Sequence, residues 1–144
     1  MKNYKNILVA VELIEKNDAD LVHHAEYLCG KTKANIVLVH AVEHIGGYGA
    51  YGIGVGVEVE RVVIDNATEE MRKLGKRLGV LEKKQVIKIG AAKFVILEEA
   101  EKIKADLIIV GSHGRNGLMA VLGSTSNAVL HGAKCDVLAV RLKN

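Results

Sequence analysis

With 144 residues, 49% of them apolar, 26% charged and a net charge of +3, the chain is long enough for one domain that buries about two thirds of its unfolded surface, and its composition excludes disorder. The small net charge, the interleaving of Lys and Arg with Glu along helical stretches and the scarcity of aromatic residues argue against nucleic acid as a partner. No apolar run approaches a membrane span, the first residues lack a signal-peptide pattern, and Cys29 and Cys135 form neither a metal pattern nor a disulfide framework; the expected setting is cytoplasmic, with both thiols reduced.

In chain order, residues 5–12 are an Ile- and Val-rich run, as expected of a strand covered on both faces. Asn17 or Asp18 is a candidate cap for a helix over 18–32 with Leu21, Val22, Ala25, Leu28 and Cys29 on one apolar stripe. Residues 34–42 form the second strand, parallel to the first because a helix separates them. Residues 43–56 carry glycines at 46, 47, 49, 52, 54 and 56 and read as a mobile flap. Gly47-Tyr48-Gly49-Ala50-Tyr51-Gly52 fits the dinucleotide fingerprint but not its place at a strand-to-helix turn. His44-Ile45-Gly46-Gly47 partly matches a nucleotidyl-transferase motif and lacks the second His.

Residues 57–78 predict a long helix, with Val59, Val63, Ala67, Met71, Leu74 and Leu78 at helical spacing, Gly79 as its stop and Gly75 marking a close contact. A third strand over 84–89 follows, then a helix carrying Ala92, Ile96, Ala100 and Ile103, and the apolar strand Leu107-Ile108-Ile109-Val110. A helix over 124–131 ended by Gly132 and a strand over 136–142 complete the chain. Five strands alternating with four helices predict an α/β fold, a doubly wound five-stranded parallel sheet in the order 3-2-1-4-5 with helices on both faces. Ligands of such sheets sit beyond the carboxyl ends of the strands where the order reverses, which here sets Ala10-Val11-Glu12 opposite Gly111-Ser112-His113-Gly114.

The fourth strand runs directly into glycines and hydroxyls that open the last helix. Unpaired N–H groups and the positive end of the helix dipole suit such a place to an anion, so Gly111, Gly114, Gly123, Ser124 and Thr125 are candidate phosphate-site residues. Helix capping alone is the competing reading for Ser124 and Thr125, and a solvated carboxylate that for Glu12.

This stretch resembles the C-terminal signature of the universal stress protein family: glycine, two residues, glycine, a spacer, then glycine followed by Ser or Thr. Residues 6–12, 105–111 and 135–141 resemble the family's first, fourth and last strands. The spacer between Gly114 and Gly123 is one residue shorter than in the family's ATP-binding pattern, and Glu12 stands where the family commonly has Asp.

The resemblance implies a Rossmann-like fold of the adenine nucleotide alpha hydrolase type and a stress-response protein binding ATP, or AMP or ADP, with Mg as a possible companion. Backbone groups of Ala10, Val11, His40, Ala41 and Val42 would line the adenine slot, with Glu12 near the ribose or a metal. Gly111 and Gly114 would let the chain approach the sugar with Ser112 between them, His113 would contact a phosphate or the ribose or else support the loop by a hydrogen bond, and Arg115, Ser124 and Thr125 would take the phosphates. The resemblance also implies a homodimer through the C-terminal strand, an edge open to pairing. No nucleophile–base pair or paired carboxylates accompany the loop, so efficient catalysis is not expected. A member that binds no nucleotide and acts by protein contacts, and a slow ATPase, stay open as alternatives.

Overall fold

A computed structural model describes residues 3–29, 35–43, 53–113 and 123–142. The elements are β1 (Asn6–Ala10), α1 (Glu15–Cys29), β2 (Asn35–Val42), α2 (Ile53–Leu78), a 3-10 turn (Glu82–Lys84), β3 (Gln85–Ile89), α3 (Ala92–Lys102), β4 (Leu107–His113), α4 (Ser124–Gly132) and β5 (Asp136–Leu142). The strands form one sheet in the order β3-β2-β1-β4-β5, and every neighbouring pair is parallel.

Successive residues of a strand point to opposite faces, and both faces here are covered. Ile7 and Val9 of β1 join Leu107 and Ile109 of β4 against Leu21, Val22 and Ala25 of α1 and Met71 and Leu74 of α2. Leu8, Val37, Val39, Ile108 and Val110 face the other way, onto Val95, Ile96 and Ala100 of α3 and Val129 of α4. This is why the central strands read as unbroken apolar runs. Full burial of each such side chain contributes about 1.5–3 kcal/mol.

The amino ends of the strands are tied by Asp106. Its carboxylate accepts the N–H groups of Lys5 at 2.7 Å and Asn6 at 2.9 Å, while its own N–H donates to the Asn6 carbonyl at 2.9 Å. α2 ends as its sequence predicts. Gly79 takes φ of +73°, and the Val80 N–H donates to the Gly75 carbonyl at 2.8 Å, a Schellman closure. The close contact expected at Gly75 is present: a Cβ there would run into the Gln85 amide and lie 2.7 Å from the Val80 carbonyl oxygen.

Several boundaries differ from the sequence reading. β1 stops at Ala10 rather than 12: the Val11 N–H makes a last bond to Val39 on β2, and the chain then turns through Leu13 at φ of +64°. α1 begins at Glu15, three residues before the expected start, and ends at Cys29. α2 begins at Ile53, inside the stretch read as a flap; extending a formed helix costs far less than nucleating one, so it runs on through Gly54 and Gly56. β4 continues past Val110 to His113 because β5 pairs with it that far, Gly111 opposite Val140 and His113 opposite Leu142. The rest of the expected flap, 44–52, lies outside the described residues.

Candidate nucleotide site

β1 and β4 are paired only from Ile7–Leu107 to Val9–Ile109. Beyond that point they part. The chain leaves β1 toward α1 on one face of the sheet, whereas β4 leads to α4 on the other. Both polar groups of the Val11 backbone are held from β2: its N–H donates to Val39 at 2.9 Å, and its carbonyl accepts from His40 Nδ1 at 2.8 Å, with the imidazole proton on Nδ1. These bonds draw the end of β1 toward β2 and away from β4. This parting falls at the reversal of strand order, where sheets of this kind take their ligands.

The carboxyl edge carries the predicted positions. Ala10, His40 and Ala41 are half-buried, Val11 and Val42 are buried, and Glu12 is exposed. On β4, Ser112 is buried and Gly111 half-buried. Gly111 has a packing reason of its own: a Cβ there would lie 2.5 Å from Leu142 Cδ1 on β5. His113 ends β4 opposite Leu142. Gly114 and Arg115 lie outside the described residues.

Gly123 is the N-cap of α4, and among the described residues no side chain caps the helix. Its φ of −57° is open to any residue, and among the described residues nothing lies within 4 Å of a Cβ built on it. Ser124 is exposed and Thr125 half-buried. The first turn of α4 is anchored by a residue the sequence reading passed over: Ser126, 2% exposed, donates its hydroxyl to the Gly111 carbonyl at 2.8 Å. That bond fixes the helix start against β4.

Asp18 also differs from expectation. It was a candidate cap, yet it sits inside the first turn of α1, its N–H donating to the Ile14 carbonyl at 2.9 Å. It is 0% exposed. Its Oδ1 accepts the Glu12 N–H at 2.9 Å, and its Oδ2 is buried with no hydrogen-bond partner among the described residues. Burial pushes its pKa up to about 6 from an ordinary 3.8. The N–H groups of Glu12, Ile14 and Leu13 pull it down, and the Glu12 charge adds a smaller push upward. The signal was in the spacing: Leu21, Val22 and Ala25 follow Asp18 at three, four and seven residues, so it lies on the buried stripe. The turn above it is tight, with Leu13 at φ of +64°, a conformation uncommon outside glycine.

Among the described residues no group of three His, Cys, Asp or Glu could hold a metal ion. Cys135 is a free, half-buried thiol. Its pKa is raised, first by burial and then by the charges of Asp136 and Asp106, which favours the unreactive protonated form. A groove of 410 Å³ between α3 and α4 includes Cys135 and Ala105; these residues precede β5 and β4, so it lies at the opposite edge from the point where β1 and β4 part. No described helix is long and apolar enough to cross a membrane.

Comparison with known proteins agrees with this architecture. A profile of the universal stress protein family matches residues 3–141. The chain is 52% identical over 144 residues to universal stress protein A homolog 2 of Coxiella burnetii, covering 99% of each. Among solved structures it is similar to hypothetical protein MJ0577, with a TM-score of 0.80, 24% identity and 99% of each chain covered. It is also similar to a universal stress protein solved in complex with cAMP, with a TM-score of 0.60, 22% identity, and 96% of this chain and 98% of the other covered.

Proposed function

The chain belongs to the universal stress protein family, and on that footing we propose that it binds an adenine nucleotide in the crevice between β1 and β4 and serves the stress response by binding rather than by efficient catalysis. The observation that carries this reading is the start of α4, uncapped among the described residues and anchored by Ser126 to the end of β4 beside the point where β1 and β4 part. The N–H groups of its first turn are donors of the kind a phosphate takes up, and no described atom lies within 4 Å of where a Gly123 side chain would start. The cAMP complex of a structural relative supports an adenine nucleotide as the ligand class. In this arrangement the backbone at Ala10, Val11 and His40–Val42 faces the base, and Glu12 stands at the ribose. Arg115, Ser124 and Thr125 receive the phosphates of ATP, or of AMP or ADP, and Mg accompanies a phosphate chain.

The test is to denature the purified protein, chromatograph the supernatant for nucleotide, and titrate AMP, ADP and ATP by calorimetry. Recovered nucleotide or micromolar binding, weakened roughly tenfold or more by Gly123→Val, is expected. The order of affinities reports how many phosphates the site accepts. No nucleotide and no heat with any of the three would sink the reading and leave action through protein contacts alone. ATP hydrolysis abolished by Gly123→Val would instead make the protein a slow ATPase.

A homodimer through β5 belongs to the same proposal. β5 is the last strand of the sheet, so one of its edges is open among the described residues. Light scattering at micromolar concentration should give twice the chain mass, and a monomer would reject the dimer.

A further inference from the structure

We propose that Asp18 is the positioning residue of this slot: its buried carboxylate holds the Glu12 backbone, and through it the Val11–Ile14 turn, in the form that receives the nucleotide. The inference rests on the nucleotide reading above and concerns how the site is held.

The geometry is specific. Oδ1 of a side chain with no exposure reaches back six residues to the Glu12 N–H at 2.9 Å. The span it closes contains the strained Leu13, at φ of +64°. At its upstream end the Val11 backbone is clamped by Val39 and His40 of β2. Asp18 and β2 therefore hold the turn from its two ends, and Glu12, exposed at its crest, is placed by that grip.

A neutral acceptor could cap the same N–H without burying a charge. The chain instead keeps a buried carboxylate whose second oxygen has no hydrogen-bond partner among the described residues, an arrangement that costs stability and tends to survive where a site needs it. A carboxylate gives the stronger bond to an amide, so the turn is held most firmly when Asp18 is ionised. Its proton is in play near pH 6. Among the described residues the charge that acts on it is that of the Glu12 carboxyl, which favours the protonated form; His40 of β2 bonds the Val11 carbonyl at the upstream end of the turn. On α1 itself, Asp20 and His24 form an exposed pair, 3.8 Å apart.

The experiment uses the full-length protein, Asp18→Asn and Asp18→Ala. The first readout is the Glu12 amide resonance in a ¹⁵N–¹H spectrum without nucleotide, followed from about pH 5 to pH 8. It should move with a midpoint near 6 in the wild-type protein and stay still in Asp18→Asn. The second is AMP affinity by calorimetry across the same range. It should tighten several-fold more toward pH 8 in the wild type than in Asp18→Asn; protonation of the AMP phosphate itself, also near pH 6, is common to both proteins. Asp18→Ala, checked for folding by circular dichroism, should bind AMP several-fold more weakly than Asp18→Asn. A Glu12 amide that does not titrate, or pH–affinity curves that run parallel in the two proteins, would overturn the proposal. If AMP, ADP and ATP all fail to bind the wild type, the nucleotide reading falls, and the Glu12 amide alone decides whether Asp18 holds the turn.

Discussion

Replacing Asp18 by asparagine should remove a pH dependence from folding stability, and its size follows from the structure. The native carboxyl titrates at about 6 against 3.8 for the ordinary group. At about 1.4 kcal/mol per pKa unit, a shift of roughly two units corresponds to about 3 kcal/mol. The direction is the reverse of the usual carboxylate case. Because the folded state holds the proton more tightly than the unfolded chain, this group's contribution to stability is fullest below about pH 4 and is lost as pH rises through about 6. Between about pH 4.5 and pH 7.5 the loss is about 2 kcal/mol. Asparagine keeps an oxygen for the Glu12 N–H and cannot ionise, so the variant lacks this slope. The assay is urea denaturation of both proteins across that range, reading the difference in unfolding free energy at each pH. The difference should grow in the variant's favour by about 2 kcal/mol toward neutral pH. It cancels the opposite slopes of paired carboxylates such as Glu69 and Glu101, whose pKa values are lowered chiefly by Arg72 and Lys134. A constant difference would refute the claim that Asp18 titrates in the folded protein within this range.

Gly75→Ala should destabilise by about 1–3 kcal/mol in urea denaturation, despite alanine's higher helix propensity, because its methyl meets the Gln85 amide and the Val80 carbonyl. Asp106→Ala should cost about 1–3 kcal/mol in the same assay, since two backbone N–H groups at the start of β1 lose their acceptor. Cys135 should react with a disulfide reagent more slowly than a free thiol at neutral pH, and at a comparable rate only after unfolding. Gly123→Val should leave the urea midpoint near that of the wild type, because its side chain meets no described atom within 4 Å.

Much of the architecture was legible because parallel strands covered on both faces leave unbroken apolar runs, while amphipathic helices leave stripes at three-to-four spacing. Residues 7–9 and 107–110 are of the first kind, and Ala67, Met71 and Leu74 of the second. The site was legible only in its outline. Asp18 reads as a cap because Asp and Asn before an apolar stripe usually are one; its position on that stripe outweighs the propensity. Gly111 invites a ligand explanation, and the β4–β5 register adds a packing one by bringing Leu142 against it. Ser126 gave no local signal, since its bond to Gly111 depends on where the chain returns after β4. The glycines at 54 and 56 read as punctuation, yet a helix already under way absorbed them.

Gly111 and Gly123 lie in one motif but answer to different pressures. A side chain at Gly111 requires the buried Leu142 side chain to move aside, so a mutational library sorted only for folded protein would already deplete large residues there. At Gly123 the same sort would pass most substitutions, and depletion would begin only when the survivors were sorted for ligand. Two successive sorts would divide the motif into a glycine kept by the sheet and a glycine kept by what the crevice holds.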